Sequence, residues 1–302
     1  MRTNARQFVP AALLVLAVAS AAQAAPAFTV AFNDPGSAHS AYYSDIQSNL
    51  LAAANTWADV LPGSGTIDIM VDFTNQPTLS ASSAASQYVH TTGGISVYEM
   101  GAIYERQTGI DPNGATPDVY LHIGTSFLAN SLWFDPHPVN RFETVPANQV
   151  DAVSAFLHEL GHAWAFSGWR DPSTGALATS YESTFDEHVI NVGGVLYFTG
   201  ANADAFYGGD VPLTAGNFMH FGNSVASGLP GSDLLTDLMN GVNFLDSTRY
   251  YISPLDLAAL QDMGITIGAP GGDVPPSAVP EPASLAFLAA GALVLLARRR
   301  RA

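Results

Sequence analysis

Apolar residues in the first half of the chain repeat with the periods of strands and helices. Residues 28–32 predict a strand, and a second strand is expected over residues 66–73, where Ile67, Ile69, Val71 and Phe73 share one face. Between them, residues 42–61 predict a helix, because apolar side chains recur every three to four positions. These side chains are Ile46, Leu50, Ala53, Ala54 and Trp57. The order strand, helix, strand indicates helices packed on a sheet.

The pattern then changes to loops with short elements between them. Residues 79–94 are rich in Ser, Ala and Gly and are expected to form a loop, and residues 118–123 predict a further strand. Residues 171–223 are rich in Gly, Asn and Thr and predict a loop-dominated stretch with one short strand at 195–199.

Two later segments carry strong helical signals. Residues 150–166 place large apolar side chains at helical spacing, namely Val153, Phe156, Leu157, Leu160 and Trp164. Ser253, Pro254 and Asp256 form a helix start, with serine as cap, proline at the first helical position and an acid three residues after the cap. They predict a short closing helix that carries Leu257, Leu260 and Met263.

Both ends of the chain have the composition of targeting segments. Residues 1–24 have a basic start, an apolar run and the ending Ala22-Gln23-Ala24, which predicts a cleavable signal peptide. Residues 268–278 form a linker rich in Gly and Pro. Residues 279–302 combine Val279-Pro280-Glu281-Pro282 with a short apolar run and terminal arginines, and they resemble the PEP-CTERM sorting tail of Gram-negative bacteria.

The resemblance of the tail implies a short transmembrane segment and a sorting enzyme at the membrane that processes it. The body would then be released or attached at the cell surface. A permanent tail anchor is the alternative, but the apolar run is short for a hydrocarbon core of roughly 30 Å.

Composition limits the partners of the remaining body, which we expect to be one domain over residues 25–267. It has an N-terminal part over about 25–166 and a C-terminal part over about 167–267. The chain has 26 acidic and 10 basic residues, a net charge of −16, so nucleic acid is not an expected partner. It contains no cysteine, which excludes disulfides and thiolate metal ligands. A monomer is expected.

The helix predicted over residues 150–166 contains the sequence His158-Glu159-Leu160-Gly161-His162. Residues four apart lie on one face of a helix, so His158 and His162 can direct both imidazoles at one ion. Glu159 can reach a water molecule beside that ion as general base, which is the chemistry of the His-Glu-x-x-His motif. The sequence therefore predicts a zinc site.

A catalytic zinc site needs a third protein ligand, and several residues could supply it. A compact metzincin would have glycine at position 165 and histidine at position 168, but this chain has Ala165 and Gly168. Glu182 and Glu187 stand at plausible distances in a following segment. The downstream histidines that could serve instead are His188 and His220.

A methionine downstream of His220 adds a further motif. Asp237-Leu238-Met239-Asn240-Gly241 places Met239 in a tight Asn-Gly turn, which is the Met-turn pattern. With the zinc helix, His220 and the closing helix, this turn makes residues 151–265 resemble the leishmanolysin-like branch of the metzincins. The resemblance is closer to bacterial metalloproteases that carry PEP-CTERM tails.

The resemblance implies an α+β, metzincin-like catalytic domain: a mixed twisted sheet, an active-site helix, and a loop-rich C-terminal part with a Met-turn and a closing helix. It implies His158, His162 and His220 as zinc ligands, Glu159 as general base, and Met239 as the Met-turn residue. Ala165 departs from the family, which has glycine there, so the chain after the helix is expected to continue or turn differently.

These features predict an exported zinc endopeptidase that hydrolyses extracellular proteins or peptides. A non-catalytic, zinc-stabilised surface or matrix protein is the alternative, and a zinc hydrolase with a non-peptide substrate is a third hypothesis. Glu159 separates the first two, because a purely structural zinc site has no need of a general base.

Three other features have less weight. Asp111-Pro112-Asn113-Gly114 with Asp118 resembles an oxygen-rich calcium loop but lacks a full ligand set, so a turn is expected and calcium is unsupported as a cofactor. Tyr250 and Tyr251 are expected to pack rather than to stabilise an oxyanion. The strand that contains His122 is expected to be a sheet edge that pairs with a bound peptide.

Overall fold

A computed structural model describes residues 28–177 and 179–268 of the 302-residue chain. The predicted signal peptide, residues 269–278 of the predicted linker, and the sorting tail at 279–302 lie outside the described residues. In the part that is described, the helices are too short or too polar to cross a membrane.

The described residues form an α+β structure with several small sheets. The strands are β1 (Phe28–Asn33), β2 (Ile67–Thr74), β3 (Leu79–Ser83), β4 (Ser86–Thr92), β5 (Ile95–Met100), β6 (Val119–Gly124), β7 (Leu132–Trp133), β8 (Val150–Asp151), β9 (Tyr181–Ser183), β10 (Val189–Val192), β11 (Val195–Phe198) and β12 (Val211–Pro212). The helices are α1 (Tyr43–Val60), α2 (Gly101–Thr108), α3 (Thr125–Asn130), α4 (Ala152–Trp164), α5 (Ala201–Tyr207) and α6 (Pro254–Asp262).

The largest sheet has four strands in the order β1-β2-β6-β3. Strands β1, β2 and β6 are parallel, and β3 runs antiparallel at the edge. Ile67, Ile69 and Val71 of β2 are buried on one face, as their alternation predicted. The edge position predicted for the strand of His122 is wrong, because β3 pairs along β6 and becomes the edge itself.

The helices α1 and α4 pack against each other and join the core formed with this sheet. The apolar residues predicted for both helices are all buried, which confirms the two helical patterns. The indole Nε1 of Trp57 in α1 donates a hydrogen bond of 2.9 Å to the carbonyl of Leu157 in α4. This bond fixes α1 beside the turn of α4 that carries His158.

Two stretches predicted as loops contain regular structure instead. Residues 79–94 form β3, β4 and the turn into β5. Residues 171–223 contain β9, β10, β12 and α5 besides β11, which confirms the one short strand predicted there at 195–199. Strand β4 is largely exposed, and β9 to β12 have at most four residues each, so neither stretch shows a hydrophobic period. Some of these strands pair with neighbours in sequence, as β4 does with β5 and β10 with β11, and others pair with distant strands, as β9 does with β5. The helices α2 and α3 were not expected either.

Residues near the helix ends determine where α6 begins and where α4 ends. Ser253 and Asp256 form the predicted capping box at the start of α6, with Pro254 in the first turn. Helix α4 ends at Trp164, and Ala165 has an extended φ of −165°, which any residue can adopt. Glycine is therefore not required at position 165 for the chain to leave the helix.

The two buried tryptophans at the α1–α4 layer provide a test of the packing. Trp57 donates a hydrogen bond from its indole, whereas the buried Nε1 of Trp164 has no partner within the described residues. We expect Trp57→Phe to lower the free energy of unfolding by about 1 kcal/mol more than Trp164→Phe, because only the first substitution removes a hydrogen bond. Urea denaturation of both variants measures the difference, and equal losses would contradict this account.

Candidate metal centre

Three histidines from two distant parts of the chain meet at one point. His158 and His162 lie on one face of α4, and His220 lies in the segment after β12. The Nε2 atom of His162 is 3.2 Å from that of His158 and 2.9 Å from that of His220. The third Nε2–Nε2 distance, between His158 and His220, is 3.1 Å. The structure therefore brings together the three histidines that the resemblance implies as zinc ligands.

The other ring nitrogen of each histidine is oriented by a backbone carbonyl. The Nδ1 of His158 lies 2.7 Å from the carbonyl of Leu238, and the Nδ1 of His162 lies 2.6 Å from that of Phe166. The Nδ1 of His220 lies 3.2 Å from the carbonyl of Asn217. Because a carbonyl only accepts hydrogen bonds, each Nδ1 carries the proton and each Nε2 presents its lone pair to the common point.

Burial keeps these imidazoles neutral. Burial, followed by the proximity of His162, lowers the pKa of His158 to about 3, and burial lowers the pKa of His162 to about 4. The pKa of His220 lies well below its ordinary value for the same two reasons, burial first and then the other two rings. Neutral imidazole is the form that binds metal ions.

The spacing of the three Nε2 atoms fits one zinc ion. Nitrogen ligands about 2.0–2.1 Å from a tetrahedral zinc ion lie about 3.3 Å from one another. The observed separations of 2.9–3.2 Å are close to this value. His158, His162 and His220 could therefore hold zinc with little movement.

The alternative third ligands have other contacts. Glu182 is buried and forms an ion pair of 2.5 Å with Arg170. Glu187 lies 2.9 Å from the imidazole of His90, and the Nε2 of His188 lies 2.9 Å from the carbonyl of Asp262. None of these three candidates belongs to the histidine group.

Glu159 lies beside the histidines and lines the same cleft. Its carboxyl accepts a hydrogen bond from the backbone N–H of Ala81 in β3, while burial raises its pKa to about 8. A cation held by the histidines would lower this pKa, because an opposite charge stabilises the carboxylate. The hydrogen bond from Ala81 holds the carboxyl of Glu159 against β3, the edge strand of the main sheet.

The cleft has a volume of about 460 Å³ and lies between two chain segments. It is lined by residues 78–81 at the sheet edge, by residues 240–244, and by His158, Glu159 and His162 of α4.

The start of α4 is anchored by buried charges that the sequence did not reveal. Asp151 caps the helix, accepting hydrogen bonds from the backbone N–H and the hydroxyl of Ser154 at 3.0 and 2.7 Å. The same carboxylate pairs with Arg141 at 2.5 Å and with Arg249 at 3.0 Å. Residues 25–280 contain four arginines, so the ion pairs that these arginines form are few and specific. Their spacing along the chain does not indicate Asp151 as a partner.

The segment that contains Met239 packs directly against α4. Met239 is fully buried, and a Cβ atom on Gly161 would lie only 2.6 Å from its sulfur. A Cβ atom on Gly241 would lie 2.5 Å from the Cβ of His220. Both glycines therefore permit close approach, one between the turn and α4 and the other between the turn and His220.

Two buried carboxyls connect the Met-turn segment to the closing helix. Asp237 accepts hydrogen bonds from the backbone N–H of Met239 at 2.9 Å and from the hydroxyl of Ser253 at 2.7 Å. Asp256 accepts from the backbone N–H of Ser253 at 2.7 Å and is also hydrogen-bonded to Asp237. Burial, followed by the charge of Asp237, raises the pKa of Asp256 well above its ordinary value, so Asp256 carries the shared proton.

The tyrosines after the Met-turn pack, as expected. Tyr250 is buried and stacks on Phe244 with ring centroids 4.1 Å apart. Tyr251 lies under the guanidinium of Arg141, 4.5 Å from ring centroid to Cζ. Neither tyrosine lines the cleft.

Comparison with known protein families concerns the C-terminus. Residues 278–301 match the family model of the PEP-CTERM protein-sorting motif. The motif indicates export and C-terminal processing, with localisation at the cell surface or outside the cell, and a sorting enzyme at the membrane as partner. No curated protein and no solved structure matches the chain.

From the proton that Asp237 and Asp256 share, we expect the free energy of unfolding to depend on pH in an unusual way. When folding raises the pKa of a carboxyl, the stability that this carboxyl contributes is fully present below its pKa in the unfolded chain, about 4. That contribution is lost as the pH rises through its pKa in the folded protein. Asn at position 256 can still donate to Asp237 without a proton to lose. Relative to wild type, we expect Asp256→Asn to become more stable as the pH rises from 4, by up to about 1.4 kcal/mol per pH unit.

Urea unfolding at pH 4, 6 and 8 measures this difference. Asp256→Ala is the control, because it removes the donor to Asp237 as well as the cap and should be destabilised throughout the range. A constant difference between wild type and Asp256→Asn would show that Asp256 is ionised in the native protein.

Proposed function

We propose that this protein is an exported, zinc-dependent endopeptidase of the leishmanolysin-like metzincin kind. The observation that carries the proposal is the convergence of three Nε2 atoms, from His158, His162 and His220, within 3.2 Å of one another beside Glu159. The Met-turn under α4 and the capped closing helix support the same assignment. The sorting motif accounts for its delivery to the cell surface.

The free edge of the main sheet supports a peptide as substrate. Strand β3 pairs with β6 on one side, and its other side faces the cleft. An extended peptide can bind there by adding a strand, because an unpaired edge offers backbone donors and acceptors. Such a peptide would bring one of its carbonyls over the histidines and Glu159. A polysaccharide or lipid has no matching backbone to pair with this edge.

The histidines and Glu159 have definable tasks in peptide hydrolysis. When bound, zinc lowers the pKa of water toward about 7 and polarises a carbonyl. The carboxylate of Glu159 takes a proton from the attacking water and later delivers it to the leaving amine. The hydrogen bond from Ala81 keeps this carboxylate in reach of both positions.

The ligand set favours catalysis over a structural metal site. A structural zinc site has four protein ligands, whereas a catalytic site keeps one position open. Within the described residues, the group that could hold the ion contains three histidines, and Glu187 and His188 have other partners. The open position would face the cleft, where Glu159 lies.

Substitution of the general base tests the catalytic part of the proposal. We expect Glu159→Gln to bind one zinc ion per chain but to hydrolyse casein about 10²–10⁴-fold more slowly, because the proton acceptor is lost. Glu187→Gln is the matched control, since its carboxyl lies outside the cleft, and it should retain full activity. If wild type and Glu159→Gln hydrolyse casein equally, the protein is not a peptidase of this kind.

Substitution of the third histidine tests the metal centre separately. We expect His220→Ala to weaken zinc binding by more than about 100-fold, above the loss typical for residues that only orient a ligand. His188→Ala, Glu182→Ala and Glu187→Ala should bind zinc as wild type does. Metal analysis after dialysis against buffered zinc gives the affinities. Loss of zinc in a glutamate variant but not in His220→Ala would reject the ligand set.

A further inference from the structure

A second group of metal-binding side chains lies away from the histidines. Carboxylate oxygens of Glu105, Asp111 and Asp118 lie within 4.8 Å of one another. Glu105 is in the last turn of α2, Asp118 immediately precedes β6, and Asp111 lies in the loop between them. The side chains of Glu105 and Asp118 are buried, with residue exposures of only 6% and 3%.

Several oxygens of this group have no hydrogen-bond donor. Among the described residues, the buried atoms Oε2 of Glu105, Oδ1 of Asp118 and Oδ1 of Asn113 lack a partner. The amide nitrogen of Asn113 donates to the carbonyls of Thr116 and Pro117, at 2.5 and 3.2 Å. Buried acceptors without donors are rare in folded proteins and commonly mark a missing water or ion.

The charges of the group are also uncompensated. Burial, followed by a hydrogen bond to Asp118 and the charges of Asp118, Asp111 and Asp68, raises the pKa of Glu105 to about 8. Within the described residues, no arginine forms an ion pair with Glu105, Asp111 or Asp118. Like charges in a buried position need a cation or protons, and a cation would satisfy the unpaired oxygens as well.

We propose that Glu105, Asp111 and Asp118, with the amide oxygen of Asn113, bind one calcium ion that ties the loop over residues 109–118 to α2 and β6. The donors are all oxygen, which selects a hard cation. Calcium accepts six to eight oxygens in irregular geometry, whereas magnesium demands an octahedron and gives up its water reluctantly, so a buried group of carboxylates suits calcium better.

The site would stabilise the sheet that borders the cleft. The backbone N–H of Asp118 bonds to the carbonyl of Asp68 in β2, and the carbonyl of Asp118 accepts from the N–H of Ala84 after β3. Calcium at Asp118 would therefore hold β2, β6 and the end of β3 in register. An exported chain without cysteine has no disulfide to do this.

Calcium binding to the zinc-loaded full chain, purified in mild detergent, tests the proposal. We expect one calcium ion per chain by equilibrium dialysis, with a Kd of about 10⁻⁴ M, and a rise in Tm of about 5–10 °C at a hundredfold excess over the Kd. Magnesium at the same concentration should give less than half of this shift. No saturable calcium binding up to 10 mM, or an equal effect of magnesium, would overturn it.

Glu105→Gln distinguishes an ion site from a merely structural carboxyl. Without calcium this variant should be at least as stable as wild type, because one buried like charge is gone, but calcium should no longer raise its Tm. Glu99→Gln, which changes a partly buried carboxyl outside the group, should keep the full shift. A calcium shift of wild-type size in Glu105→Gln would reject the site. Zinc content should be unchanged in both variants, so the outcome is independent of the proposed peptidase function.

Discussion

The contact between α4 and the segment over residues 237–241 determines the geometry of the candidate metal centre. The carbonyl of Leu238 orients His158, and the sulfur of Met239 occupies the space that Gly161 leaves by having no side chain. The same segment bonds to the chain that carries His220, through the N–H of Phe221 and the carbonyl of Met239 at 2.8 Å. One short turn thus positions two histidines that are 62 residues apart, His158 and His220. Because protein interiors are close-packed, a change in this turn would reach all three imidazoles.

Buried charge recurs throughout the fold of this acidic chain. Asp151 joins two arginines at the start of α4, and Asp237 shares a proton with Asp256 below the Met-turn. These groups are costly to desolvate unless they are paired, so they select one arrangement of the loops that contain them. Glu105 and Asp118 lie against each other without an arginine partner within the described residues, and a cation would satisfy the buried oxygens that have no donor there.

The elements that could be predicted were those whose own side chains enter the core. Helices α1 and α4 and strand β2 each carry a period of apolar residues that matches their geometry, and the capping box of α6 is a local hydrogen-bond pattern. Strands β3, β4 and β9 carry few apolar residues. Strands β3 and β9 also depend on partners far along the chain, whereas β4 pairs with the adjacent β5. For the same reason the sheet edge was assigned to β6, although β3 occupies it.

The sequence by itself determined the helix with His158, Glu159 and His162, the closing helix, and the sorting tail, because each is a pattern of neighbouring residues with its own physical meaning. It offered four candidates for the third ligand, and only the packing of distant segments placed His220 at the histidine pair and gave Glu182, Glu187 and His188 other partners. The tertiary structure likewise brought Glu105 to Asp111 and Asp118. Long-range proximity of this kind follows from packing and burial, which no local spacing of residues encodes.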